Sequence, residues 1–159
     1  MVPLFSVDKL HLLEFKFIKG EINSPFALTE KSMGAVQFEV AFNMGFHPGK
    51  KLVKAELDIR ILSVGSALEA EAATANFEFV YIFKIDNFSQ LITEDKTGIL
   101  VVDPMLANAI AQISYSSTRG VLLTRLQGTV FSSFIMPIMD PKKLVEQRID
   151  KRRKVKAAK

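Results

Sequence analysis

The chain has 159 residues, 48% of them hydrophobic, with 13 Phe and no Cys. That is enough for one domain with a core, and too apolar for a disordered chain. Without Cys there are no disulfides and no thiolate metal sites, as suits a reducing cytoplasm. The formal charge of +4 conceals two unlike parts, since residues 142–159 hold nine of the 21 basic residues and only two acidic ones. The remainder has a balance of −3, a mildly acidic body ahead of a strongly basic tail.

No run approaches the roughly 18 apolar residues that span a bilayer. The start, MVPLFSVDKLHLLEF, lacks a basic stretch followed by an apolar one, so no secretory signal is expected.

In chain order, residues 13–22 alternate as a strand, with Leu13, Phe15 and Phe17 on one side and Glu14 and Lys16 on the other. Residues 23–34, NSPFALTEKSMG, read as a loop. Residues 35–47 alternate most regularly: Val36, Phe38, Val40, Phe42, Met44 and Phe46 share a face. His47-Pro48-Gly49-Lys50 is a turn. Residues 51–64 set Leu57, Ile59 and Ile61 against Glu56, Asp58 and Arg60. A long, bulged or twisted strand is expected over 68–85, with Phe77, Phe79, Tyr81, Phe83 and Ile85 on one face.

Short turns join the second, third and fourth strands into an antiparallel meander. The longer loop after the first strand lets that strand cross to a sheet edge. Residues 86–98 are polar and irregular. A helix follows over 103–123, with Asp103 as cap, Pro104 in the first turn and Gly120 as the stop. Its apolar stripe is Met105, Leu106, Ala109, Ile110 and Ile113. Asp140-Pro141 repeats the start signal, so a second helix runs into the tail. The expected fold is α+β: a four-stranded antiparallel sheet, a meander with a crossover first strand, covered on one side by a main helix and a C-terminal helix. Residues 1–141 form the domain and 142–159 the basic helix or tail.

The chemistry of an enzyme is not found. His11 and His47 have no metal-ligand spacing. Glu56 and Asp58 alternate with Lys54 and Arg60 as a solvated face, and Ser114, Ser116 and Ser117 lack a base or a nucleophile elbow. No phosphate-cradling glycine loop occurs. Neither a metal nor another cofactor is expected. Arg119 has two readings, a role in an assembly and, with more weight, a cation favouring the helix C-terminus. The tail EQRIDKRRKVKAAK has cations for nucleic acid or anionic lipid but no aromatics for stacking bases, and reads first as a solvated end.

The order of these elements resembles the SecB protein-export chaperone family over residues 13–144. The resemblance rests on FKFIKGEINSPF in the first strand, VYIFKI in the fourth, and the helix from Asp103 with its Thr118-Arg119-Gly120. Pro137-Ile138-Met139-Asp140 completes it. It implies a SecB-like fold and a cytoplasmic homo-oligomer, dimer or tetramer, that performs no bond chemistry. Its function would be that of a molecular chaperone holding unfolded or partly folded polypeptides in apolar grooves, in the setting of protein transport. A translocation motor is a further implied partner, although the family presents acidic patches to it and this tail is basic.

By that resemblance the groove would run between Phe26, Leu28 and Met33 on one side and Phe134, Ile135, Met136 and Ile138 on the other. Phe77 and Phe79 would form part of its floor. Asn108, Gln112 and Ser116, one turn apart along the helix, would face a subunit interface or solvent. Two alternatives stand beside the chaperone: a non-chaperone oligomer bound to one specific partner protein, and a nucleic-acid binder acting through the tail.

Overall fold

The computed structural model describes residues 4–25, 28–31, 34–64 and 72–147. Four strands form one antiparallel sheet: β1 (Leu10–Asn23), β2 (Ala35–His47), β3 (Leu52–Val64) and β4 (Thr74–Ile85). Their order is β1-β4-β3-β2, so the meander of β2, β3 and β4 is joined by β1 at the edge beside β4. The loop after β1 thus performs the expected crossover.

The period-2 pattern decides which face is inside. Phe77, Phe79, Tyr81, Phe83 and Ile85 of β4 are all buried, as are Val53, Ala55, Leu57, Ile59 and Ile61 of β3. On the opposite face these strands mix Lys54, Glu56, Asp58, Arg60, Glu78 and Lys84 with the half-buried Leu52, Leu62, Val80 and Ile82. The edge strands are less covered. In β2, Val36, Phe38 and Val40 are half-buried and only Phe42 and Met44 are buried.

β1 departs from simple alternation. Two register shifts, between Leu12 and Glu14 and between Phe17 and Lys19, insert an extra residue at each place. Leu12 therefore joins Phe15 and Phe17 on the core side, opposite Phe83, Tyr81 and Phe79. Leu13, expected with Phe15 and Phe17, is instead a bulge residue. Alternation alone misses this because each bulge moves every following side chain to the other face.

Residues 86–98, expected to be irregular, hold α1 (Phe88–Leu91) and β5 (Ile92–Glu94), which pairs with β6 (Leu100–Val102) in a small hairpin. Asp95 closes the hairpin, accepting hydrogen bonds from the Thr97 and Ile99 amides, and Gly98 takes the left-handed conformation at φ 77°.

The main helix, α2 (Pro104–Arg125), starts as its cap requires: Asp103 accepts from the amides of Met105 and Leu106 at 2.9 and 3.2 Å. It does not stop at Gly120. The helix continues to Arg125, and Gly128 at φ 76° lies just beyond. Leu122 and Leu126 are buried, so packing carries the helix through an exposed glycine that costs it only propensity. α2 lies on the sheet's apolar face, where Thr118 and Tyr81 share a buried 2.8 Å hydrogen bond between their hydroxyls. Residues 141–147 are helical, with Asp140 accepting from the Lys142 amide. Leu144 of this segment is fully buried and joins the core.

Candidate functional site

The connector from α2 to the final helical segment is strapped to α2 by two long side chains. Tyr115 donates its hydroxyl to the Pro137 carbonyl at 2.7 Å, and Arg119 donates Nε to the Met136 carbonyl at 2.8 Å. Arg119 is therefore not a last-turn cation: the helix runs on for six residues, and its guanidinium holds a neighbouring segment. Burial pushes the Tyr115 phenol above its ordinary pKa, with the Arg119 charge acting in the other direction.

The strap meets β2 and the loop after β1. Phe134 lies against Phe38 of β2 with ring centres 5.8 Å apart. The Ser132 hydroxyl donates to the Glu30 carboxylate at 3.0 Å, tying the strap to the loop after β1. The two sides of the expected groove are therefore neighbours, but much of the space between them is filled. Leu28, Phe77, Phe79 and Met136 are buried in the core, and Phe134 is half-buried. Ile135 and Ile138 face outward, Ile138 with 87% of its surface exposed. Phe26 and Met33 lie outside the described residues.

Sequence reasoning missed a second apolar surface. On the core side of β1, Leu12 and Phe15 are exposed, Phe15 at 45% although it contacts the Phe79 and Tyr81 rings, while the exposed bulge residue Ile18 lies with Lys54, Glu56 and Asp58. α2 reaches this strand at its far end, where the Arg125 guanidinium sits 4.7 Å from the Phe17 ring centre. The available signal was that one helix is too narrow to roof four strands.

On α2, Gln112 and Ser116 are exposed and Asn108 is half-buried. They border Met105, Ala109 and Ile113, of which Met105 is exposed and the other two half-buried. The stripe expected to seal the core thus divides: Leu106 and Ile110 are buried, while Met105, Ala109 and Ile113 form a shoulder. Below it the buried set is completed by Ala107, Ala111, Ser114, Tyr115, Thr118 and Leu122.

No group of three or more His, Cys, Asp or Glu is placed to hold a metal among the described residues. His11 is bonded to Asp86 at 2.9 Å, and His47 accepts the Lys50 amide in its turn. No helix among the described residues is long and apolar enough to cross a membrane.

A four-stranded antiparallel sheet with its helices on one side is the architecture of the SecB-like fold. Among solved structures, the chain is similar to the Mycobacterium tuberculosis Rv1957 SecB-like chaperone, solved in complex with a ChAD peptide from the Rv1956 HigA1 antitoxin. The TM-score is 0.57 at 12% identity, covering 83% of this chain and 92% of that one. This chain therefore has the SecB-like fold. A Streptococcus agalactiae protein of unknown function matches at a TM-score of 0.34 and 14% identity, over 81% of this chain and 97% of that one. No family model matches the sequence, and no curated protein matches it.

Proposed function

We propose that this protein is a SecB-like molecular chaperone that binds apolar segments of unfolded or partly folded polypeptides, acting in the cytoplasm as a homo-oligomer. The observation that carries the reading is the SecB-like fold combined with apolar side chains left in solvent on both the strap and β1. Ile135 and Ile138, with Phe134 behind them, form one client contact. Leu28, Met136, Phe77 and Phe79 support it from the core. Along β1, a client strand would find a free backbone edge beside Leu12 and Phe15, gaining main-chain hydrogen bonds and apolar burial together. Each contact is weak, and repetition over subunits joined through the Asn108, Gln112 and Ser116 face of α2 multiplies them.

The test is light scattering of a denatured client during refolding, with and without the protein. Suppressed aggregation at stoichiometric amounts is expected; unchanged scattering sinks the reading. A second reading, a permanent complex with one partner protein, is favoured by the burial of Leu28, Phe77, Phe79 and Met136, which leaves little open groove. It predicts a compact assembly that binds no apolar dye. Export and motor binding have less support: the polar face of the sheet mixes Lys16, Lys54 and Arg60 with Glu14, Glu56 and Asp58, with no acidic excess among these six.

A further inference from the structure

One end of the sheet collects cations that the chaperone reading does not use. His11 of β1 lies opposite Lys84 of β4, Lys84 opposite Leu52 of β3, and Leu52 opposite His47 of β2. These four positions cross the sheet in a single row, on the face away from α2. At the usual strand spacing the row spans about 14 Å.

Three more lysines border that row. Lys50 and Lys51 lie in the turn between β2 and β3, where Lys51 Nζ reaches the Asp86 carbonyl at 3.5 Å. Lys9 ends the short 3-10 turn before β1, and its carbonyl accepts the Asp86 amide. Lys9, Lys50, Lys51 and Lys84 are all exposed. None of them has a carboxylate within ion-pair distance among the described residues. The carboxylates at this end are Asp8 and Asp86, and Asp86 is already engaged by His11.

Two aliphatic side chains stand beside the cations. Val7 is 68% exposed and Leu4 57%, and the Leu4 carbonyl is held to this end by the Asn87 amide. We propose that this end of the sheet, made of Leu4, Val7, Lys9, Lys50, Lys51 and Lys84, is a peripheral contact for an anionic lipid bilayer.

The composition favours a bilayer over other polyanions. Lysine is a point charge on a flexible apolar stem, whereas paired phosphate recognition uses the arginine fork, and no arginine is in this set. The exposed large hydrophobics here are aliphatic, so bases would have nothing to stack on, while a headgroup region accepts both leucine and valine. The contacts come from three separate segments arranged around one end. An extended peptide follows one track and meets only part of the set; a surface meets all of it.

The test uses the full chain, sedimented with vesicles of phosphatidylcholine alone or mixed with phosphatidylglycerol. Binding to the mixed vesicles only is expected. Replacing Lys50, Lys51 and Lys84 with Gln should lower the partition coefficient by about a hundredfold, taking roughly fivefold per lysine near the surface. Val7→Ser should weaken the binding that persists at higher salt. A second variant carries Gln for every Lys and Arg in residues 148–159, and it should still bind. The proposal is overturned by no sedimentation with anionic vesicles, or by binding lost with the tail variant and kept in the triple variant. It is equally overturned if inorganic phosphate displaces the protein beyond the effect of chloride at equal ionic strength, which would mark a site for free phosphate. Sedimentation is read without a client, so its outcome is independent of chaperone activity.

Discussion

Arg119 and Met136 are 17 residues apart in the chain and joined by a 2.8 Å hydrogen bond from Nε to the main-chain oxygen. With the neighbouring bond from Tyr115 to Pro137, this contact turns a connector into a strap and places Ile135 and Ile138 in solvent while Met136 enters the core. Arg119→Met keeps the apolar stem and removes the donor. Its loss should cost about 1–3 kcal/mol, the range for a partly buried bond involving a charged group. Denaturant unfolding measures the cost. Increased binding of an apolar dye below the unfolding transition should accompany it if the strap loosens first.

The two strap isoleucines separate function from stability. Because both are exposed, Ile135→Asp and Ile138→Asp should each change unfolding free energy by no more than about 0.5 kcal/mol. Client protection should fall in the double variant. Unchanged protection with an unchanged melting curve would assign client binding to β1 alone.

The two glycines with the clearest geometry should respond in opposite ways. A Cβ on Gly20 would run into Cζ of Phe17, whose ring is in turn covered by Arg125. Gly20→Ala must displace that ring and should destabilise by about 1–3 kcal/mol. On Gly120 a Cβ meets nothing within 4 Å, and its place inside α2 favours alanine. Gly120→Ala should stabilise the monomer by roughly 0.5–1 kcal/mol. Thermal unfolding of the two variants tests both signs.

Gln112 and Ser116 face outward one turn apart on α2. Replacing both with Arg should leave the fold intact and dissociate an oligomer built on this face, since like charges would meet across a symmetric contact. Sedimentation velocity of the double variant beside the parent chain decides it; an unaltered assembly would place the interface elsewhere.

Tyr81 supplies a pH dependence. Burial raises its pKa above the ordinary 10.0, and the hydrogen bond with Thr118 only partly opposes that. The folded state thus prefers the neutral phenol, so this contribution is fully present below pH 10.0 and lost as pH rises through the folded value. Tyr115 acts in the same direction. Stability of the parent chain should fall above that pH, and the Tyr81→Phe, Tyr115→Phe double variant should show a shallower fall in its denaturation midpoint.

Much of the fold could be read from local pattern. Ala35 to His47 alternates without interruption, and β2 has those same limits. Asp103-Pro104 predicts the start of α2, which begins at Pro104. The helix end is not legible in the same way, because Gly120 is a local stop signal that burial of Leu122 and Leu126 overrides. The hairpin of β5 and β6 is hidden in the sequence because three-residue strands are too short to establish a period, and Asp95 and Gly98 are common in open loops as well as in closed turns.

The site was less legible for a related reason. Apolar character does not reveal which apolar residues remain uncovered. Phe79 and Phe15 read alike in sequence, yet one is buried on a central strand while the other lies on the edge strand with nearly half its surface in water. Likewise Met136 and Ile138 are two residues apart on the strap and have opposite exposures.

By itself the sequence determined the four strands, their meander, the capped helix and the division between an acidic body and a basic tail, because periodicity, turn residues and charge act over a few neighbouring positions. Only the tertiary structure decided which apolar side chains are core and which are surface, where Arg119 spends its hydrogen bond, and that lysines from three segments meet at one end of the sheet. Those outcomes depend on groups far apart in the chain occupying the same space, and excluded volume and hydrogen-bond geometry settle them only once the chain has folded.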